Sequence, residues 1–195
     1  MWGAASSKRL KCIRPAPTVT LSRTSVNLKD HIRDVPDFPM TGILFRDITP
    51  LLANADALAA AVRGLADPFR DKGVDHVAAV EARGFIFGSA VARELDAGFI
   101  PLRKVGKLPH ITEAITYDLE YGSDTIEVHH DAVKPGQQIL MIDDLLATGG
   151  TMWAACELIE RLGARIVGLS FLIELTGLPG RARLGDRPIN VLISY

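Results

Sequence analysis

The chain is 195 residues long, enough to bury a full core in one domain, with 48% hydrophobic residues and a formal net charge of −1. That balance excludes a generally basic nucleic-acid or membrane surface, and no apolar run approaches the roughly 20 residues that span a bilayer. Cys12 and Cys156 are too far apart to suggest a metal spacing or a disulfide framework, which fits reduced cysteines in a cytoplasmic protein. Residues 1–27 read as a leader. Lys8, Arg9, Lys11, Arg14 and Arg23 lie among hydroxyl residues, and Asp30 is the first acid of the chain. This is the composition of a transit peptide, but also of a disordered tail or of a start read too far upstream. The shortness of the segment and its missing amphipathic face favour the last two. Residues 28–195 then form the domain.

A short helix is predicted at Leu28–Ile32, and Pro36, Pro39 and Gly42 mark a turn-rich connection into Ile43-Leu44-Phe45. Asn54–Lys72 has helical periodicity, with Leu58, Ala61, Val62, Leu65 and Phe69 on one face. Strand His76–Val80, helix Phe85–Leu95 and strand Phe99–Leu102 follow. Leu108–Gly122 is polar and lacks a strong period. Strands Thr125–His129 and Gln138–Ile142, helix Met152–Leu162, and strands Ile166–Leu172 and Asn190–Ser194 complete the chain. Alternating strands and helices predict an α/β fold, a parallel sheet covered on both faces. Ligands of such sheets bind beyond the carboxyl ends of the strands.

The most informative stretch is Ile139–Ala164. An apolar strand ends in Asp143 and Asp144, the small loop Ala147-Thr148-Gly149-Gly150-Thr151 follows, and a helix begins. Glycines let backbone N–H groups converge on an anion, and the positive end of the helix points to the same place. An acid pair beside a phosphate cradle suits a ligand that also offers hydroxyls or a metal, as a phosphorylated ribose does. The loop lacks the Gly-Lys-Ser/Thr ending of a Walker motif, and no GxGxxG follows the first strand. At Glu81-Ala82-Arg83-Gly84 a second strand-to-helix turn carries Arg83, either a fixed fork for a diphosphate or a surface ion-pair residue. Arg103, Lys104 and Lys107 follow a strand, either as anion contacts or as a solvated face. His31, His76, His110, His129 and His130 form no metal-ligand spacing.

PDFPMTGILFRDITPLL at Pro36–Leu52, VEARGFIFG at Val80–Gly88, PLRKVGKLP at Pro101–Pro109 and YDLEYG at Tyr117–Gly122 occur in that order. With the Asp143–Thr151 stretch, these segments resemble the type I phosphoribosyltransferases and, within them, the members that use adenine. The resemblance runs from about Val35 to the end of the sequence. It implies purine salvage by transfer of a 5-phosphoribosyl group from phosphoribosyl diphosphate to adenine, giving AMP and diphosphate. It also implies a homodimer, and Mg²⁺ carried mainly by the substrate rather than by protein ligands.

Residue roles follow from the same resemblance. Ala147, Thr148, Gly149, Gly150 and Thr151 would hold the 5′-phosphate, and Asp143 and Asp144 would face the ribose hydroxyls. Arg83, Arg103, Lys104 and Lys107 would meet the diphosphate, and a non-proline cis peptide is expected in the Arg83 turn. The Leu108–Gly122 segment would be a flexible hood that keeps water off the reacting sugar. From it Glu120 would assist proton transfer at the base, and Arg83 would serve catalysis as the diphosphate departs. Leu44, Phe45, Arg46 and Leu145 would make the adenine site, with Phe45 and Leu145 against the two faces of the purine. Rival readings are a relative specific for hypoxanthine or xanthine, and a purine-responsive transcription regulator on the same fold. The segment before the core is too short for a helix-turn-helix, so neither a nucleic-acid nor a membrane partner is expected.

Overall fold

The structure is a computed structural model that describes residues 26–118 and 122–195. After a 3₁₀ turn at Leu28–His31, strands β1 (Arg33–Pro36) and β2 (Leu44–Asp47) pair as an antiparallel ribbon with Val35 opposite Phe45. Helices α1 (Thr49–Ala53) and α2 (Ala55–Ala66) lead into β3 (His76–Val80), α3 (Gly84–Glu94) and β4 (Gly98–Lys104). A hairpin of β5 (Thr112–Asp118) and β6 (Ser123–His129) follows. The remaining elements are β7 (Gln138–Leu146), α4 (Gly150–Arg161), β8 (Arg165–Glu174), α5 (Gly180–Leu184) and β9 (Ile189–Ser194).

Seven strands form one sheet in the order β5-β6-β4-β3-β7-β8-β9. The five from β4 to β9 run parallel, and the β5–β6 hairpin joins antiparallel through β4. The expected α/β sheet with helices on both faces is therefore present, with an antiparallel edge added to it. Strand periodicity divides the core. Ala78, Val80, Ile139 and Met141 pack with Leu158 and Ile159 of α4, whereas Val77, Ala79, Leu140 and Ile142 pack with Leu65 of α2 and Phe87 of α3. Full burial of a large apolar side chain contributes about 1.5–3 kcal/mol, so these two layers supply most of the cohesion.

Several boundaries differ from the sequence reading. Helix α2 starts where its cap predicts, because the Asn54 side chain accepts the Ala57 N–H at 2.9 Å. It stops at Ala66 rather than Lys72, because Pro68 has no N–H to continue the ladder, and the chain tightens to 3₁₀ over Asp67–Phe69. Phe69 is buried all the same. Helix α1, absent from the reading, is too short to show a period. Asp47 starts it by accepting the Thr49 N–H at 2.9 Å and the Thr49 hydroxyl at 2.8 Å.

The segment read as an aperiodic hood contains β5. Ile115 and Tyr117 are buried on one face of that strand, but Glu113 interrupts the alternation in the sequence. Strand β7 continues past Ile142 to Leu146. It keeps pairing with β8 (Asp143 opposite Phe171, Leu145 opposite Ile173) after its pairing with β3 has ended at Ile142. The acid pair thus lies within a strand that has lost one neighbour, and that open edge faces the cleft. A register shift between Ile139 and Leu140 precedes it.

Candidate functional site

A cleft of about 440 Å³ opens at the carboxyl ends of β3 and β7, lined by Glu81, Arg83, Lys104, Asp143, Asp144 and the whole Ala147–Thr151 loop. The loop gains its shape from Gly149, at φ 76° and ψ 0°, the residue that caps α4. A Cβ added there would lie 2.7 Å from the Gly180 carbonyl oxygen, so only glycine suits both the backbone and the space. The first bond along α4 runs from Trp153 N–H to Gly149 O at 2.9 Å. The N–H groups of Gly150, Thr151 and Met152 therefore lack intrahelical acceptors and are available to an anion.

The acid pair is differentiated by its surroundings. Asp144 is buried and forms an ion pair with Arg83, Nε to Oδ2 2.8 Å. Burial raises its carboxyl above the ordinary value, and the Arg83 charge opposes that rise. Asp143 is also held well above the ordinary range, first by burial and then by the neighbouring Asp144 charge. Asp143 Oδ1 accepts the Asp144 N–H at 2.9 Å. The start of α3 crowds against it, since a Cβ at Gly84 would stand 2.9 Å from the same oxygen. The peptide between Glu81 and Ala82 is cis, as the resemblance leads one to expect.

The three basic candidates after β4 separate. Lys104 lines the cleft and pairs with Asp124 on β6, Nζ to Oδ2 2.9 Å, which raises the lysine and lowers the carboxylate. Arg103 instead grips Glu81 with two prongs, 3.1 and 3.0 Å, and donates to the Lys107 carbonyl at 3.1 Å. That grip holds Glu81 below the usual carboxylate range. Lys107 takes part through its backbone, donating to the buried Glu127 carboxylate at 3.2 Å. The cleft lining therefore includes Lys104 but neither Arg103 nor Lys107.

The four base-site candidates do come together. Leu44, Phe45, Arg46 and Leu145 line a smaller cavity of about 110 Å³, closed by Ile173 and Leu175 and walled by Arg83 and Asp144. Arg83, Asp144 and Leu145 line both cavities, so the two are contiguous. The Arg83 guanidinium also lies 5.4 Å from the centre of the Phe45 ring. Glu120 lies outside the described residues, as does most of the proposed leader.

Other lining residues escape a sequence reading. Tyr117 is buried, and its hydroxyl accepts from Thr151 Oγ1 at 3.1 Å, which ties the hairpin to the Ala147–Thr151 loop. Burial raises its phenol above the ordinary value. A tyrosine in a polar segment that also holds Tyr121 is the only signal for it. Asp124 has no signal at all, because its partner Lys104 stands 20 residues earlier and meets it only through sheet pairing. Among the described residues no group of three or more His, Cys, Asp or Glu side chains is placed to hold a metal ion.

Comparison with known proteins follows the same lines. Residues 49–183 match the family described as "Phosphoribosyl transferase domain". An adenine phosphoribosyltransferase of Rhodopirellula baltica is 54% identical over 170 residues, covering 87% of this chain and 82% of that protein. The crystal structure of adenine phosphoribosyltransferase from Thermoanaerobacter pseudethanolicus superposes with a TM-score of 0.84 at 48% identity, covering 86% of this chain and 98% of that one. The Saccharomyces cerevisiae enzyme, solved with an imino-altritol bisphosphate and adenine, gives a TM-score of 0.80 at 38% identity, covering 85% and 96%. Matched across the sheet, the Ala147–Thr151 loop and the ribbon that carries Phe45, the chain belongs to the adenine phosphoribosyltransferase family.

Proposed function

We propose that the chain transfers the 5-phosphoribosyl group of phosphoribosyl diphosphate to adenine, releasing AMP and diphosphate, as an enzyme of purine salvage. The observation that carries this reading is the continuity of the two cavities. An anion-binding loop with an acid pair runs directly into an apolar slot between Phe45 and Leu145. That slot suits a flat base, and the yeast relative was solved with adenine bound.

The 5′-phosphate sits on the N–H groups of Gly149, Gly150 and Thr151, with the Thr148 and Thr151 hydroxyls adding donors and Ala147 shaping the entry. Asp143 and Asp144 face the ribose hydroxyls. Arg83 and Lys104 meet the diphosphate. Arg103 and Lys107 support that end indirectly, because the Arg103 guanidinium is held by Glu81. As the bond to the anomeric carbon breaks, the sugar gains oxocarbenium character and the base nitrogen attacks directly, so no protein nucleophile is required. Catalysis rests on holding base and sugar in line and on stabilising the departing diphosphate, the role of Arg83. Glu120 assists proton transfer at the base.

The Asp143–Asp144 pair is too small to build an octahedral Mg²⁺ site by itself, and the other two carboxylates of the cleft, Glu81 and Asp124, are held by Arg103 and Lys104, which fits a metal delivered on the substrate's own oxygens. Such an ion would neutralise charge on the diphosphate. Backbone groups of Leu44 and Arg46 read the edge of the base. A purine with a carbonyl where adenine has its amino group would leave a buried polar group unpaired, at a cost of about 1–3 kcal/mol. A homodimer and a cytoplasmic location are carried over from the family as part of the same proposal. Among the described residues no helix is long and apolar enough to cross a membrane.

The test is turnover with phosphoribosyl diphosphate, Mg²⁺ and each purine base. Adenine should give AMP, and hypoxanthine and guanine should react at least about fivefold less efficiently, the lower end of that mismatch cost. Comparable use of hypoxanthine would overturn the base assignment.

A further inference from the structure

The base site rests on a ribbon that is not hydrogen-bonded into the main sheet. β1 and β2 form a separate two-stranded sheet, and Phe45, the ring that faces the base cavity, is carried by β2. Something else must fix the height of that ring above Leu145. The neighbouring residue supplies an answer, because side chains alternate along a strand and Arg46 is directed away from Phe45.

The Arg46 side chain is mostly buried, with 17% of its surface exposed. Its guanidinium pairs with Asp34 on β1 and lies over the ring of Tyr195, 3.7 Å from guanidinium carbon to ring centre. The Lys29 ammonium is 4.7 Å from the same ring. Tyr195 itself is pinned to the main sheet just beyond β9. Its N–H donates to the Glu174 carbonyl at 3.0 Å, and its carbonyl accepts the Thr176 N–H at 2.9 Å and the Thr176 hydroxyl at 2.7 Å. Glu174, at the end of β8, is held in turn by two bonds from Arg181, at 2.9 and 2.7 Å.

We propose that Tyr195 is a positioning residue for adenine recognition: its ring, anchored to β8, holds Arg46 and so sets β2 and Phe45 at the base cavity. This rests on the reading of β2 as the base site given above. Tyr195 is absent from the lining of either cavity, so it acts through Arg46 alone. A cation stacked on a largely desolvated ring is attracted strongly enough to change a binding constant by about threefold to thirtyfold. The hydroxyl adds nothing to the stacking, so phenylalanine should serve as well.

Steady-state kinetics and amide hydrogen exchange on Tyr195→Leu and Tyr195→Phe test this. Tyr195→Leu should raise KM for adenine by about threefold to thirtyfold while kcat and KM for phosphoribosyl diphosphate stay within about twofold. Exchange at Leu44–Asp47 should quicken, with Asp143–Thr151 unchanged. Tyr195→Phe should restore both. An unchanged adenine KM, a parallel rise in both KM values, or a Phe variant as impaired as the Leu variant overturns the proposal. If Tyr195→Leu does not fold, Tyr195→Met, which keeps an apolar side chain but has no aromatic face, is measured in its place, and the same outcomes decide. If the unaltered protein fails to use adenine, the proposed function falls. The exchange experiment then stands alone, and unchanged exchange at β2 overturns the staple.

Discussion

Replacing Asp143 by Asn should make the protein more stable and nearly inactive. Asp143 is held well above its ordinary value by burial and by the Asp144 charge. Among the described residues Asp144 has an ion-pair partner, Arg83, and Asp143 has none. A carboxyl whose native value is raised binds more protons folded than unfolded in the interval above 3.8, so stability falls as pH rises through that interval. The cost grows as pH rises from 3.8 towards the raised native value. Asparagine keeps an oxygen for the Asp144 N–H, now 2.9 Å from Oδ1, while removing the charge. Substitutions that relieve a conflict of this kind typically gain about 0.5–2 kcal/mol. For a chain of 195 residues that is a rise of about 1–8 °C in melting temperature. The gap between variant and parent should be smallest near pH 4 and widest near pH 8. Turnover should fall by about 10–1000-fold, as for a lost transition-state contact. Calorimetry without ligand across that pH range, with steady-state rates on the same samples, makes the measurement. A variant that melts below its parent at pH 8, or one that keeps full activity, would refute the reasoning.

Gly149→Ala should weaken both fold and substrate binding. The left-handed backbone alone costs about 1–2 kcal/mol, and the new methyl meets the Gly180 carbonyl, so the urea midpoint should drop and KM for phosphoribosyl diphosphate should rise more than about tenfold. An unchanged KM would show that the loop does not hold the phosphate. Deleting residues 1–23 should leave turnover and melting temperature unchanged, because that stretch is basic, acid-free and without apolar periodicity. A loss of several degrees, or of the expected dimer, would show that it packs on the domain.

Local chemistry made much of this readable from the sequence. The Ala147–Thr151 loop stands out because glycine, hydroxyls, a preceding acid pair and a following amphipathic helix are contiguous, and it lines the cleft. The helix α2 cap at Asn54 is legible for the same reason. The resemblance supplied what spacing could not: Leu44, Phe45 and Arg46 meet Leu145 about a hundred residues away through tertiary packing alone. Where pairing decides, the sequence is silent. Nothing near Arg103 marks Glu81 as its partner, and β5 hides behind Glu113 in an otherwise apolar alternation. The end of α2 was available in principle, since Pro68 stands in the middle of the periodic run.

The register shift opposite Ile139 and Leu140 is taken up by Val167 of β8, so β7 runs unbroken along β3 towards the acid pair, and this constrains how the strand can vary in length. Along a strand, one residue more or less turns every later side chain to the opposite face. Between the shift and the acid pair lie Leu140, Met141 and Ile142, Met141 packed towards α4 and its two neighbours towards α2 and α3. Many apolar residues could replace them, but an insertion or deletion there would turn Asp143 to the opposite face and present a hydrocarbon to the cleft. Point substitutions along β7 should therefore be tolerated far more readily than changes of length, and the spacing from the irregularity to the acids behaves as a phase to be preserved.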